Sequence, residues 1–100
     1  MPKPYYADYV NHCLRFYFRY NASHGFKNEV DKLNYNATER VVNRLESADR
    51  EILKTVFTQD NLNIFENVSH ATIVCHEDDK KVWSLINYVT GKIAKERRLL

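Results

Sequence analysis

Beyond Pro4 the chain contains no proline and only two glycines, Gly25 and Gly91. Sheets and tight turns draw on these residues for their bends, so a chain almost without them favours long unbroken helices. Hydrophobic residues at 44% with 13% aromatics suffice for one core, and 100 residues is the ordinary size of one domain. The expected fold is all-α, with about five helices in a single domain over residues 1–100.

Periodicity divides that length. Pro4 fits a first helical turn, where its missing N–H costs nothing, and Tyr6, Tyr9, Val10, Cys13, Leu14, Phe16, Tyr17 and Tyr20 follow, predicting a helix over 4–20. Small and polar residues from Asn21 to Gly25 predict a turn, with Gly25 suited to a left-handed cap. Val30, Leu33, Ala37, Val41 and Leu45 recur at spacings of three and four and predict a second helix over 27–45. These two helices form an N-terminal pair over 1–46. Ser47 as N-cap, with Asp49 and Glu51 in the first turn, opens a short third helix carrying Ile52, Leu53, Val56 and Phe57. Asp60 is the expected cap of a fourth, with Ile64, Phe65, Val68 and Ala71 on its apolar side; the β-branched run 71–75 reads less clearly as helix. Past the polar stretch His76-Glu77-Asp78-Asp79, the residues Val82, Leu85, Ile86, Val89 and Ile93 make the clearest stripe in the chain, a fifth helix reaching about Arg98. The stripe is expected to pack on Ile52, Leu53, Val56, Ile64, Phe65 and Val68, with Trp83 partly buried beside it.

The net charge is only +2, too mild to indicate nucleic acid by itself, but charge is unevenly placed. Gln59 to Asp79 holds Asp60, Glu66, Glu77, Asp78 and Asp79 with no Lys or Arg; Lys92 to Leu100 holds Lys92, Lys95, Arg97 and Arg98 against Glu96 alone.

A short capped helix, a second short helix, a polar turn and a longer helix ending in cations is the order of a three-helix helix-turn-helix unit, here over 47–100. Ser47-Ala48-Asp49-Arg50-Glu51-Ile52-Leu53 resembles the opening helix of the promoter-reading domain of bacterial sigma factors. The segment Lys81-Val82-Trp83-Ser84-Leu85-Ile86-Asn87-Tyr88-Val89-Thr90-Gly91-Lys92-Ile93-Ala94-Lys95-Glu96-Arg97 resembles the closing helix of small sigma-like regulators of Gram-positive phages and mobile elements, the RinA and ArpU type. The resemblance covers about half the chain. It implies a transcriptional regulator in the cytoplasm of a bacterial host, binding duplex DNA with the fifth helix in the major groove. Lys80, Lys81, Ser84, Asn87 and Tyr88 would then read bases, with Asn87 fitted to adenine, while Lys92, Lys95, Arg97 and Arg98 would meet phosphates. The same residues equally fit a plain solvated face whose basic end complements the helix dipole. The acidic turn before the fifth helix has no glycine and opposes phosphate. A non-enzymatic adaptor that binds RNA polymerase or another protein, with the helix-turn-helix as scaffold, is therefore the second reading.

Other chemistries are poorly served. His70 and Cys75 stand five apart, off the i, i+4 face on which helical metal ligands converge, and a fourth ligand would have to come from His12, His24 or Cys13. Cys75 and His76, as neighbours, point about 100° apart on a helix and make no thiol–base pair. Neither an enzyme nor a cofactor is expected. Cys13 and Cys75, far apart in apolar stretches, read as reduced thiols, and no segment approaches the length of a membrane span. Eight of the thirteen aromatics fall within the first 26 residues. One helix cannot bury aromatics all round against one small partner, so either a thick core around helix one or a homodimer through it is expected.

Overall fold

The computed structural model describes residues 4–20 and 25–99. It consists of five helices that pack on one another, α1 (Ala7–Arg19), α2 (Glu29–Val42), α3 (Ser47–Phe57), α4 (Ile64–Cys75) and α5 (Asp79–Glu96). No strand occurs among the described residues. The all-α expectation holds, with α1, α2 and α5 shorter than periodicity alone indicates, because periodicity does not see the caps. The predicted turn at Asn21 to His24 lies outside the described residues; Gly25 beside it takes the left-handed φ of 64°.

The caps differ from those read in the sequence. Ser47 is already inside α3, whose N-cap, Glu46, makes no side-chain capping bond. At α4 the cap is Asn63, whose Oδ1 accepts from the backbone N–H of Phe65 (3.0 Å) and Glu66 (3.4 Å), and Asp60 instead pairs with Arg19 at 3.1 Å. An amide so close to the first turn satisfies two of its orphan donors, which a residue four positions upstream cannot reach. Asp78 caps α5, accepting from the N–H of Lys80 at 2.8 Å.

One core joins all five helices: Val10 and Leu14 of α1, Val41 and Val42 of α2, Ile52, Leu53, Val56 and Phe57 of α3, Val68 and Ala71 of α4, and Val82, Ile86, Val89, Ile93 and Ala94 of α5. Every one of the other helices touches α5. Leu85, Ile64 and Trp83 pack at its margin, half-buried.

Two expected core assignments fail. Phe65 is 70% exposed, because α4 turns Asn67, Val68 and Ala71 inward and Phe65 lies about 100° or more around the helix from Asn67 and Ala71. On α2 the inward side is Asn34, Ala37, Thr38, Val41 and Val42, so that Val30 (50%) and Leu33 (44%) face out. The polar intruders are satisfied: Asn34 Nδ2 donates to the Tyr9 hydroxyl at 2.8 Å, and Thr38 Oγ1 donates to the Asn34 carbonyl at 2.8 Å. A helix with two buried polar residues rotates away from the phase that its apolar residues alone would set.

The aromatic N-terminal half resolves mostly into internal packing. Phe16, Tyr20, Phe26 and Tyr35 meet in one cluster, with the rings of Tyr20 and Phe26 stacked at 4.9 Å and Tyr17 against Tyr35 at the same separation. Tyr5 and Tyr9 remain exposed.

Ile93, fully buried, and Ile73, on the outside of α4, make a matched pair. Ile93→Ala is expected to cost about 2–5 kcal/mol in urea unfolding, whereas Ile73→Ala is expected to change stability by no more than about 0.5 kcal/mol. Equal losses at the two positions would contradict this packing.

Candidate nucleic-acid interface

Burial of Val82, Ile86, Val89, Ile93 and Ala94 fixes the rotation of α5 and hence what it shows to solvent. At 100° per residue, Lys80, Lys81, Ser84, Asn87, Tyr88, Lys92 and Lys95 fall within an arc of about 140° that no other helix covers. All seven side chains are exposed. From Lys80 to Lys95 the face runs about 22 Å along the helix. It is preceded by α4 across a turn of three residues, His76, Glu77 and Asp78. His76 supplies the left-handed position that glycine usually takes, at φ 55°, and lets the N–H of Glu77 reach back to the Thr72 carbonyl at 3.1 Å.

The expected base-reading and phosphate-binding residues are not equally available. Lys81 Nζ sits 3.1 Å from Glu77 Oε1, and that hydrogen bond, with the carboxylate's charge and those of Asp49 and Glu46, holds its ammonium above the ordinary lysine range. Arg97 is no longer helical and does not join the face. It caps the C-terminus of α5 with its Nε donating to Asn34 Oδ1 at 2.6 Å, turned into the seam with α2. Its place in the sequence, among cations, concealed that role, because only the crossing of α2 over α5 brings Asn34 within reach. Arg98 stands exposed in the left-handed region at φ 57°, closing the helix end as the Leu99 N–H bonds to the Ala94 carbonyl at 2.8 Å.

One residue that the sequence did not single out joins the site. Arg44, past the end of α2, lines a cleft of about 200 Å³ with Val41, Leu45, Tyr88, Lys92, Lys95 and Glu96. Lys92 Nζ lies 5.5 Å from the centre of the Tyr88 ring, a cation–π distance. Arg40 one turn earlier is engaged, with Nε 3.0 Å from Glu96 Oε2. Nothing in the spacing of α2 marks Arg44, since its neighbours are set by packing between helices. The cleft offers the three cations Arg44, Lys92 and Lys95 and an aromatic face, suited to phosphate oxygens; the neutral middle of α5, Ser84 and Asn87, offers a hydroxyl and an amide suited to base edges.

A second recess, about 380 Å³ and lined by His12, Arg15, Phe16, Arg19, Tyr20, Gly25 and Lys27, is also basic, but its guanidiniums serve the fold. Arg15 donates to the Gln59 carbonyl at 2.7 Å and Arg19 to Asp60, pinning the α3–α4 connection to α1.

No group of three or more potential metal ligands occurs among the described residues. Cys13 and Cys75 are free thiols. Burial lifts the Cys13 thiol from an ordinary 9.0 to about 11, against a smaller lowering by the charge of Arg97, so it is a protonated packing group at neutral pH. No helix of the described residues is long and apolar enough to cross a membrane. Comparison of the chain with protein-family models, curated proteins and solved structures finds no match.

Two outcomes are expected. An unfolded Cys13 loses its proton near pH 9 while the folded one keeps it to about 11, so the unfolded state binds fewer protons in that window and stability falls as pH rises from 9 to 11. Tyr17 and Tyr35, whose hydroxyls burial also raises above 10.0, add to the fall above pH 10. Urea midpoints across pH 8–11 measure it, and Cys13→Ala should flatten the lower part of the curve. Separately, Arg97→Ala should destabilise the fold by about 1–3 kcal/mol, because buried Asn34 loses a charged donor. A neutral substitution there would place Arg97 back among the solvated cations.

Proposed function

We propose that this chain is a non-enzymatic DNA-binding regulator that lays the outer face of α5 in the major groove of duplex DNA. The observation that carries the reading is the gathering of Lys80, Ser84, Asn87, Tyr88, Lys92 and Lys95 on the uncovered arc of α5, with α4 behind it across a three-residue turn. Asn87, midway along the length of the face and at one edge of its arc, is the residue to read a base, by a bidentate pair with adenine. Lys92, Lys95, Arg44 and Arg98, grouped at the C-terminal end, neutralise phosphates and set register without reading sequence. Lys81 contributes little, its charge being answered by Glu77. The resemblance to sigma-like phage and mobile-element regulators adds the expectation of a bacterial cytoplasmic setting and of RNA polymerase as a neighbour.

Magnitudes shape the proposal. A single module of this kind covers about 600–1,000 Å² of protein surface, so specific binding at cellular salt calls for two copies on two half-sites or for help from polymerase. The carboxylate of Asp79 stands at the start of α5 and repels phosphate there, while Glu77 is taken up by Lys81, which tips the contact toward the basic end.

Electrophoretic retardation or fluorescence anisotropy with mixed-sequence duplex tests the reading. Four phosphate contacts should give a slope of log affinity against log salt of about −3.6, and removing both Lys92 and Lys95 should flatten it by about 1.8. Asn87→Ala should leave the slope alone and erode sequence preference by about 1–3 kcal/mol. Absence of any retardation at low salt and high micromolar protein would sink the proposal. The second reading, an adaptor that binds protein, is favoured by a different observation, the uncovered apolar side of α4.

A further inference from the structure

Among the five helices α4 alone is apolar nearly all round. Its inner side packs Val68 and Ala71 into the core, yet Phe65 and Ile73 lie on the outer side, with Leu62 just before the helix, while Val74 is exposed on the flank opposite Phe65. Leu62 is 80% exposed, Phe65 70% and Ile73 74%, values that ordinary surface residues of this size reach singly and not as neighbours on one strip. Phe65 and Ile73 stand eight residues apart, about 12 Å along the helix, with the small Ser69 between them. Trp83 of α5 extends the strip sideways, its ring centre 5.3 Å from that of Phe65. A helix whose outer side is this apolar is one whose burial is unfinished.

Charge identifies what would finish it. The only ionisable groups on the outer side of α4 are Glu66 and His70, and the segment from Gln59 to Asp79 contains five carboxylates and no Lys or Arg. Asp60 and Glu77 are answered by Arg19 and Lys81, but no Lys or Arg among the described residues forms an ion pair with Glu66 or Asp79. A second copy joined to the first through the same strip would set carboxylate against carboxylate, and an anionic membrane or nucleic acid would meet the same repulsion. An amphipathic helix with apolar residues on one side and lysines or arginines along its flanks meets both features at once.

We propose that the strip formed by Leu62, Phe65, Ile73 and Trp83 is a docking surface for a basic amphipathic helix of a partner protein. The helix lies along α4 for about three turns, its apolar residues seated either side of Ser69 and its cations over Glu66 and the acidic ends of the strip. The inference does not rest on the DNA-binding reading, and the two fail separately, since one uses α4 and the other the outer arc of α5.

Trp83 is the single tryptophan of the chain and touches the strip, so its fluorescence reports occupancy. The probe is a synthetic helical peptide of leucines at i, i+3, i+4 and i+7 with lysines elsewhere, titrated against the whole protein beside the same peptide with every lysine replaced by glutamate. The lysine peptide is expected to shift Trp83 emission saturably and more weakly as salt rises, and the glutamate peptide to leave it unchanged. Ile73→Glu should weaken binding of the lysine peptide by about tenfold or more, the loss expected of one buried anchor, and Glu66→Lys by a smaller factor. Both variants should keep the wild-type thermal midpoint by circular dichroism and the wild-type salt slope on DNA. The proposal is overturned by an unresponsive Trp83, by equal responses to the two peptides, by an Ile73→Glu variant that is folded yet binds as well as wild type, or by a doubled mass in solution that Ile73→Glu abolishes, which would make a second copy the occupant.

Discussion

The whole arrangement turns on the burial of one side of α5. Val82, Ile86, Val89, Ile93 and Ala94 are withdrawn from water, and α1, α2, α3 and α4 all touch the helix that carries them. Each large aliphatic residue buried in this way is worth about 1.5–3 kcal/mol, so a rotation of α5 that exposed the stripe would lose most of the core at once. The opposite arc is therefore held rigidly. Its residues stand on a packed helix and not on a loop, which is the condition for presenting side chains to a regular partner such as a groove of DNA.

Polar contacts set how the N-terminal pair meets the rest. Asn34, buried in α2, is held by Tyr9 of α1 and by Arg97 at the end of α5, which ties three helices at one point. Across the molecule Arg15 and Arg19 of α1 grip the α3–α4 connection through the Gln59 carbonyl and Asp60. With Arg40 of α2 paired to Glu96 of α5, the fold thus uses four of its arginines as struts between elements. The cations that remain for a partner are fewer than the sequence offers, and three of them, Arg44, Lys92 and Lys95, cluster where the end of α2 meets the second half of α5.

The surface that results is divided. The basic end, with Arg44, Lys92, Lys95 and the ring of Tyr88, suits an anionic partner. The outer side of α4, apolar and rimmed by carboxylates, suits a cationic amphipathic one. A small domain that bound DNA with the first surface and a protein with the second would join the two, and the two readings of the sequence need not compete.

Much of this is legible in the order of the residues. The scarcity of glycine and proline determined the all-helical class, and the stripe from Val82 to Ile93 determined which side of α5 faces inward, hence the exposure of Lys80, Ser84, Asn87, Tyr88, Lys92 and Lys95, because helical period is a local property that a long amphipathic segment cannot escape. Short or mixed helices lack that determinacy. In α4 every side holds an apolar residue, so the sequence could not tell Phe65 from Val68, and in α2 the inward turn of Asn34 and Thr38 depends on Tyr9, Arg97 and the Asn34 carbonyl being there to satisfy them. The withdrawal of Asp60 to Arg19, the loss of Arg97 from the basic face and the arrival of Arg44 on it were decided by tertiary structure alone. Each depends on a distance between residues far apart in the chain, which is not encoded in spacing.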